Sequence, residues 1–529
     1  MKNPMHFFNT AGPVNPALHY CLDPLRRLDL DVVLPLIEQQ KYFVLHAPRQ
    51  TGKTTCLLAL REYLNAGDRY RCVYVNVEIA QSAREDVAAA MRAILAGLGD
   101  WARDGAGDRY PGAIWPAILD RHGPHQALEA VLSDWAGASD RPLVLLIDEI
   151  DALIGDTLIA VLRQLRAGYP KHPAHFPQSI ILCGVRDVRD YRIHSGSTKE
   201  IITGGSAFNI KAKSLRLGNF TAKEMAALYA EHTAATGQTF TTDALKRAWT
   251  LSRGQPWLVN ALGYETCFEL PAGRDRRQPI TAERLDEAKE ALILRRETHL
   301  DHLADKLREP RVRRVIEPIL AGETTPELLP LDDVDYVLDL GLVDRIDGQL
   351  AIANAMYREI IPRQLTYSTT LTISQEPTWY LRPDGRLDDD KLLVGFQEFF
   401  REHSEHWLRR FDYQEAGPQL LMQAFLQRLV NGGGRVEREY GLGRGRTDLL
   451  VLWRYPGGVQ RIVLELKILR KSRERTLAEG LEQTWQYLDR VGEGSGHLVI
   501  FDRSDRPWDE KIYRREEIHR GRQITVWGC

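Results

Sequence analysis

Tyr42-Phe43-Val44-Leu45-His46 runs directly into Ala47-Pro48-Arg49-Gln50-Thr51-Gly52-Lys53-Thr54-Thr55. The first five residues form an apolar run too short for a helix, the pattern of a strand buried on both faces. The next nine fit a loop that cradles phosphates, with Gly52-Lys53-Thr54 opening a helix. Backbone N–H groups in such a loop surround the phosphates, Lys53 reaches the outer ones, and the Thr54 hydroxyl binds Mg²⁺. The positive end of the helix points at the same charge. Pro48, Arg49, Gln50, Thr51, Gly52, Lys53, Thr54 and Thr55 are therefore the expected nucleotide-binding residues. Ala47 stands where such loops begin with glycine, and its single methyl at the loop entry leaves the cradle intact.

A second stretch completes this site. Leu143-Val144-Leu145-Leu146-Ile147 is another short apolar run, ending in Asp148-Glu149. Ligands gather at strand C-termini in parallel sheets, so Asp148 is expected in the Mg²⁺ shell, with Glu149 polarising the attacking water. Ser179 to Asp187 reads as the next strand, and it carries Arg186. Gly254-Gln255-Pro256-Trp257 falls in a helical region. Together these residues resemble the AAA ATPases of the origin-recognition and STAND type. That likeness implies ATP and Mg²⁺ as cofactors, Arg186 as a nucleotide sensor, and a lid whose Gly-x-Pro brings Pro256 to the nucleotide. Gly254 and Pro256 also suit the plain start of a helix. Arg163 and Arg166 fit an arginine finger and a solvated helix face equally well.

The far end of the chain carries a different chemistry. Gly443-Arg444-Gly445-Arg446-Thr447-Asp448 opens onto the apolar run Leu449 to Trp453, and Ile462-Val463-Leu464 delivers Glu465-Leu466-Lys467. A helix follows with Gln483 and Tyr487 one turn apart. Phosphodiester hydrolysis needs acidic oxygens to hold a divalent metal, plus a cation beside the attacking water. Glu465 and Lys467 alternate with Leu466, so on a strand they share a face. With its flanks, this region resembles the PD-(D/E)XK nucleases, which run helix, three strands, helix, strand. The matching segments are a helix near 419–430, strands near 435–440, 447–453 and 460–467, a helix near 476–490 and a strand at 497–501. The resemblance implies that Asp448, Glu465 and the Leu466 carbonyl hold Mg²⁺ (or Mn²⁺), that Lys467 orients water, and that Gln483 and Tyr487 belong to the site. Glu415, Glu437 and Glu439 are all placed to add a further acid. Thr447 stands where the namesake motif has proline.

Between the two sites the chain is expected to hold several smaller parts. The reading is an ATPase core over 1–215, a helical lid over 216–300, a winged-helix-like module over 301–365, a connector over 366–400 and a nuclease-like domain over 401–529. The fold class is thus α/β multidomain: a P-loop parallel sheet with lid and winged-helix-like module, then a restriction-endonuclease-like α/β domain. Residues 301–365 carry 8 Lys and Arg against 13 Asp and Glu. A phosphate-binding surface is basic, so docking or nucleotide sensing suits this module better than DNA binding. Residues 401–529 carry 23 basic and 19 acidic residues. Lys467, Arg470, Lys471, Arg473 and Arg475 cluster beside the expected nuclease site as a basic rim.

Bulk properties set broad limits. The chain has 529 residues and a net charge of −2, so nucleic-acid contact must come from local patches. Six cysteines show no metal or paired spacing, which fits reduced thiols in the cytoplasm. No apolar run is long enough to span a membrane. The expectation is an ATP-controlled Mg²⁺-dependent nuclease acting on DNA within a homo-oligomer. The family likeness adds defence or mobile-element control. A non-cleaving ATP switch or scaffold is the alternative, and a DNA-translocating motor a third reading.

Overall fold

The computed structural model describes residues 6–187, 192–194, 201–203, 208–295, 303, 305–320, 329–346, 348–365, 380–408, 417–430, 434–439, 448–469 and 472–529. It divides into two compact units, Met1–Leu294 with Asp339–Gly341 and Arg295–Leu338 with Leu342–Cys529.

The first unit is built on a parallel five-stranded sheet. Its strands are β1 (Tyr42–His46), β2 (Arg71–Asn76), β3 (Leu143–Asp148), β4 (Ser179–Gly184) and, after the short pair β5 (Arg192–His194) and β6 (Ile201–Thr203), β7 (Lys211–Arg216). The order across the sheet is β2-β3-β4-β1-β7. Alternate residues of each strand feed two separate cores. Tyr42, Val44, Val73, Val75, Leu143, Leu145 and Ile147 pack under the helices Val87–Ala106, Ala127–Ala138 and Gly155–Gly168. Phe43, Leu45, Cys72, Tyr74, Val144 and Leu146 pack on the opposite face against Lys53–Ala66 and Leu30–Glu38. Helices on both faces are why these strands read as unbroken apolar runs.

The strand order puts one strand, β4, between β1 and β3. The C-terminal ends of β1, β3 and β4 therefore open side by side on one edge of the sheet. A helical segment follows: Ala222–Thr236, Thr242–Ser252, Pro256–Tyr264 and Ala282–Arg295. Its first helix begins with a reciprocal cap in which Thr221 and Glu224 each bond the other's backbone N–H. All six cysteines are free thiols.

The second unit opens with the helices Pro310–Leu320 and Leu331–Asp339. An antiparallel pair, β8 (Val343–Ile346) and β9 (Gln349–Ile352), and the helix Ala355–Leu365 follow. Lys306, Arg308, Arg311, Arg313, Arg314 and Arg363 each pair with a nearby acid of the same module. These cations are spent on the module's own carboxylates, in keeping with its acidic balance.

Beyond it lies a six-stranded sheet of order β10-β11-β12-β13-β15-β14. The strands are β10 (Gly434–Glu439), β11 (Asp448–Tyr455), β12 (Gly458–Ile468), β13 (Ser495–Phe501), β14 (Tyr513–His519) and β15 (Arg522–Gly528). The helix Gly417–Val430 precedes β10, and Arg473–Val491 joins β12 to the parallel β13. Pro383-Asp384-Gly385 forms a turn, closed by the Leu381–Leu387 bridge with Gly385 at φ +84°. It packs on the β11–β12 hairpin: Gly385 accepts from the Trp453 indole at 2.8 Å, and Leu387 donates to Gln460 at 2.8 Å. The helix Asp389–Leu408 runs unbroken across residue 400, where the sequence reading ended its connector. Among the described residues, no helix is long and apolar enough to cross a membrane.

Candidate functional sites

At the edge where β1, β3 and β4 end, the residues of the phosphate-cradling loop come together. Gly52 has φ +87°, and a Cβ there would come within 2.8 Å of Arg27 Nη1. The left-handed backbone favours glycine here, and a Cβ would crowd the Arg27 guanidinium. Arg27 itself donates to the Thr51 carbonyl and to the Gly218 carbonyl, each at 2.7 Å, and lies over the Phe220 ring at 4.8 Å. It ties the loop to the chain leaving β7. Lys53 is 5 % exposed, and its ammonium donates to the Ala47 and Pro48 carbonyls, both at 3.0 Å. Thr51 turns inward to bond the Pro48 carbonyl, while Arg49 and Gln50 stand exposed.

Asp148 sits opposite. Its Oδ2 accepts from the Thr54 hydroxyl at 2.7 Å and from the Tyr74 hydroxyl at 3.0 Å, and its Oδ1 accepts from the Glu149 amide. Two hard oxygens, Thr54 Oγ1 and Asp148 Oδ2, are thereby adjacent at the mouth of the cradle, a donor set that suits Mg²⁺. Glu149 has φ +57°, a strained conformation for a residue with a side chain. Burial, then the nearby Asp151 carboxylate, holds its pKa above the ordinary range. Asp151 in turn accepts from the Val185 amide at 3.0 Å, fixing the end of β4 just before Arg186. Arg163 and Arg166 are exposed on the helix Gly155–Gly168.

Gly254 and Pro256 do begin a helix, Pro256–Tyr264, with Gln255 as its cap. Gly254 has φ +73° and accepts from the Phe220 amide. Pro256 also lines a pocket of about 120 Å³ beside Gly52 and Thr55. The other wall of that pocket is Asn9 to Gly12, Val14 and Tyr20, a segment the sequence reading left unassigned. It is pinned in place by Trp257, whose indole donates to the Thr10 carbonyl at 2.9 Å, and by Val14, which donates to Thr55 Oγ1 at 3.1 Å. The Asn-Thr-Ala-Gly-Pro run signals only a turn, and its place beside the cradle depends on long-range contacts.

In the C-terminal sheet, strand pairing sets three acidic positions in register. Glu439 is opposite Asp448 in the β10–β11 ladder, and Asp448 is opposite Glu465 in the β11–β12 ladder. Glu465 is fully buried, and Lys467 Nζ lies 2.8 Å from its Oε1. Leu466 is buried between them on the other face. Tyr487 joins the core of Val463, Leu488 and Leu498 beneath the helix Arg473–Val491, and Gln483 is half-buried one turn earlier. Among the described residues, no group of three or more His, Cys, Asp or Glu could hold a metal. The side chains of Glu437, Glu439 and Asp448 lie outside that description, as do Glu415, Arg470 and Lys471. Of the expected rim, Arg473 packs over Tyr513 and bonds the Glu510 carbonyl, and Arg475 pairs with Glu479.

Residues 37–191 match the family model described as "AAA domain". No curated protein matches the chain. Among solved structures, it is similar to the Walker-type ATPase PABY2304 of Pyrococcus abyssi, at 12% identity and TM-score 0.45, covering 67% of this chain and 99% of that one. It is similar to Cdc6p from Pyrobaculum aerophilum, at 14% identity and TM-score 0.35, covering 65% and 93%. A third is the Thermotoga maritima RuvB Holliday junction branch migration motor, at 14% and 0.33, covering 64% and 93%. At these TM-scores the likenesses add nothing to what the sheet and loop establish. The matched domain, the five-stranded parallel sheet and the Lys53–Thr54–Asp148 geometry give the N-terminal unit the P-loop ATPase fold of an AAA-type domain.

Proposed function

We propose that this chain is an ATP-hydrolysing AAA-type protein whose C-terminal sheet is a Mg²⁺-dependent nuclease acting on DNA, with nucleotide state governing the cut. The observation that carries the nuclease reading is the row Glu439–Asp448–Glu465, set by strand register, with Lys467 beside Glu465. Three acidic positions in register on three consecutive strands, with a half-buried ammonium beside one of them, form an unusual grouping for a sheet without polar chemistry. Burying an ionised carboxylate is costly unless it is paired or holds a metal.

In the ATPase, Lys53 and the loop amides would hold the outer phosphates, and Thr54 with Asp148 would hold Mg²⁺. Glu149, raised in pKa and strained toward the same edge, orients the water and accepts its proton. In the nuclease, Glu439, Asp448, Glu465 and the Leu466 carbonyl would hold the metal, which supplies charge neutralisation at the scissile phosphate. Lys467 orients water there, with its ammonium available to steady the charge that develops. The ion-paired module over 301–365 serves docking rather than DNA contact.

The test is plasmid nicking in Mg²⁺ or Mn²⁺ by the full chain and by Asp448→Ala. Loss of cleavage in the variant, with ATP hydrolysis retained, supports the assignment. Equal cleavage by both places the chemistry elsewhere.

A further inference from the structure

β2 carries one polar tip into an otherwise apolar interior. It reads Arg71-Cys72-Val73-Tyr74-Val75-Asn76, and Tyr74 is buried. A buried phenol needs a partner for its hydroxyl, since an unpaired one costs free energy that a phenylalanine would not. Tyr74 finds that partner on the neighbouring strand, donating to Asp148 Oδ2 at 3.0 Å. β2 pairs with β3 in parallel register, Asn76 opposite Asp148, so Tyr74 stands beside the end of β3. The Trp101 ring meets the phenol in a T-shaped contact, 4.7 Å between centroids, and limits where the hydroxyl can point.

Asp148 is fully buried, and its two oxygens are used unequally. Oδ2 takes two hydroxyl protons, from Thr54 at 2.7 Å and from Tyr74, while Oδ1 takes the Glu149 amide at 3.0 Å. The Thr54 hydroxyl has a single proton, and while that proton lies on Oδ2 the lone pairs of its oxygen are left for a cation. This holds only if Oδ2 stays in place. The terminal torsion of an aspartate is soft, so a second donor from a different strand helps to fix the plane of the carboxylate.

We propose that Tyr74 is a positioning residue of the ATPase: its hydroxyl holds the Asp148 carboxylate so that Thr54 presents its lone pairs to Mg²⁺. This rests on the ATPase reading of the N-terminal unit and adds to its metal site a residue outside both the loop and β3. Groups that orient a metal's ligands tune its affinity. Tyr74 acts through Asp148 and Thr54, so its loss weakens what Mg²⁺ adds to nucleotide binding and spares what Lys53 and the loop amides contribute.

The experiment is calorimetric titration of the full-length protein with ATP, in excess Mg²⁺ and in EDTA, on wild type, Tyr74→Phe, Asp148→Asn and the double variant. Phenylalanine keeps the ring against Trp101 and removes only the hydroxyl. Tyr74→Phe should match wild type in EDTA and bind about fivefold more weakly in Mg²⁺, the size of one lost hydrogen bond. In the double variant the two losses should not add, because Tyr74 works through the Asp148 carboxylate. A Mg²⁺ gain in Tyr74→Phe equal to that of wild type overturns the inference and leaves the nucleotide site standing. So does a comparable loss in EDTA, which marks a role in packing alone, and so do fully additive losses in the double variant. Wild type that gains nothing from Mg²⁺ removes the metal site, and wild type that binds no ATP removes the nucleotide site; the inference falls with either.

Discussion

The Thr54 hydroxyl donates to Asp148 Oδ2 at 2.7 Å, joining residues 94 positions apart in the chain. The contact exists because the strands that deliver them end on the same edge of a parallel sheet. It also sets a test of the metal site. Asp148→Asn keeps the shape and an acceptor but removes the charge, so nucleotide affinity should lose its Mg²⁺ dependence, falling about tenfold in Mg²⁺. Affinity that still rises with Mg²⁺ as in wild type would place the ion elsewhere.

Glu149→Gln should bind ATP normally and hydrolyse it about a hundredfold more slowly, the usual size of a lost general base. The pH profile carries a second signature. Burial, then Asp151, raises the Glu149 pKa above the usual glutamate value of 4.5. A base works only when ionised, so hydrolysis should fall as pH drops, with its midpoint above 4.5. A midpoint at or below that value would remove Glu149 from the role.

His46 closes β1 immediately before the loop, and burial pulls its pKa down to about 4. The folded chain therefore keeps it neutral while the unfolded chain takes up a proton near 6.5. Its contribution to stability is complete above 6.5 and is lost as pH falls toward 4. His46→Gln should narrow the gap between the thermal midpoints at pH 7 and pH 5. An unchanged gap would mean that other groups account for the acid sensitivity.

Lys467→Ala strips the fully buried Glu465 of an ammonium 2.8 Å away. Leaving the buried Glu465 without its charge partner costs about 3 kcal/mol, and the C-terminal unit should unfold earlier. Glu465→Gln added to the same chain should recover most of that loss without restoring cleavage. A stable Lys467→Ala would show that Glu465 does not depend on this ammonium in solution.

Much of the nucleotide site could be read from sequence because parallel strands covered on both faces appear as apolar runs, as in β1 and β3. Glu465 and Lys467 of the C-terminal sheet were readable for a related reason: they interrupt an otherwise apolar strand at alternate positions. The edge strands β7 and β14 were not. β7 reads Lys-Ala-Lys-Ser-Leu-Arg, and β14 reads Tyr-Arg-Arg-Glu-Glu-Ile-His. Charge on an edge strand keeps it from pairing with other chains and hides it from hydrophobic patterns. The Asn9–Val14 wall was also invisible, because it depends on which distant carbonyl or hydroxyl each residue meets, and no local periodicity encodes that. Register added what spacing could not: of the acids at 415, 437 and 439, it is Glu439 that pairs with Asp448.

The most direct measurement is cleavage of linear and circular DNA by the purified protein, with and without ATP and Mg²⁺, beside Lys467→Ala and Lys53→Ala. The expected result is Mg²⁺-dependent cleavage by wild type, none by Lys467→Ala, and a cut by Lys53→Ala that no longer responds to ATP. Cleavage that persists in Lys467→Ala, or DNA left whole by wild type under every condition, would contradict the account.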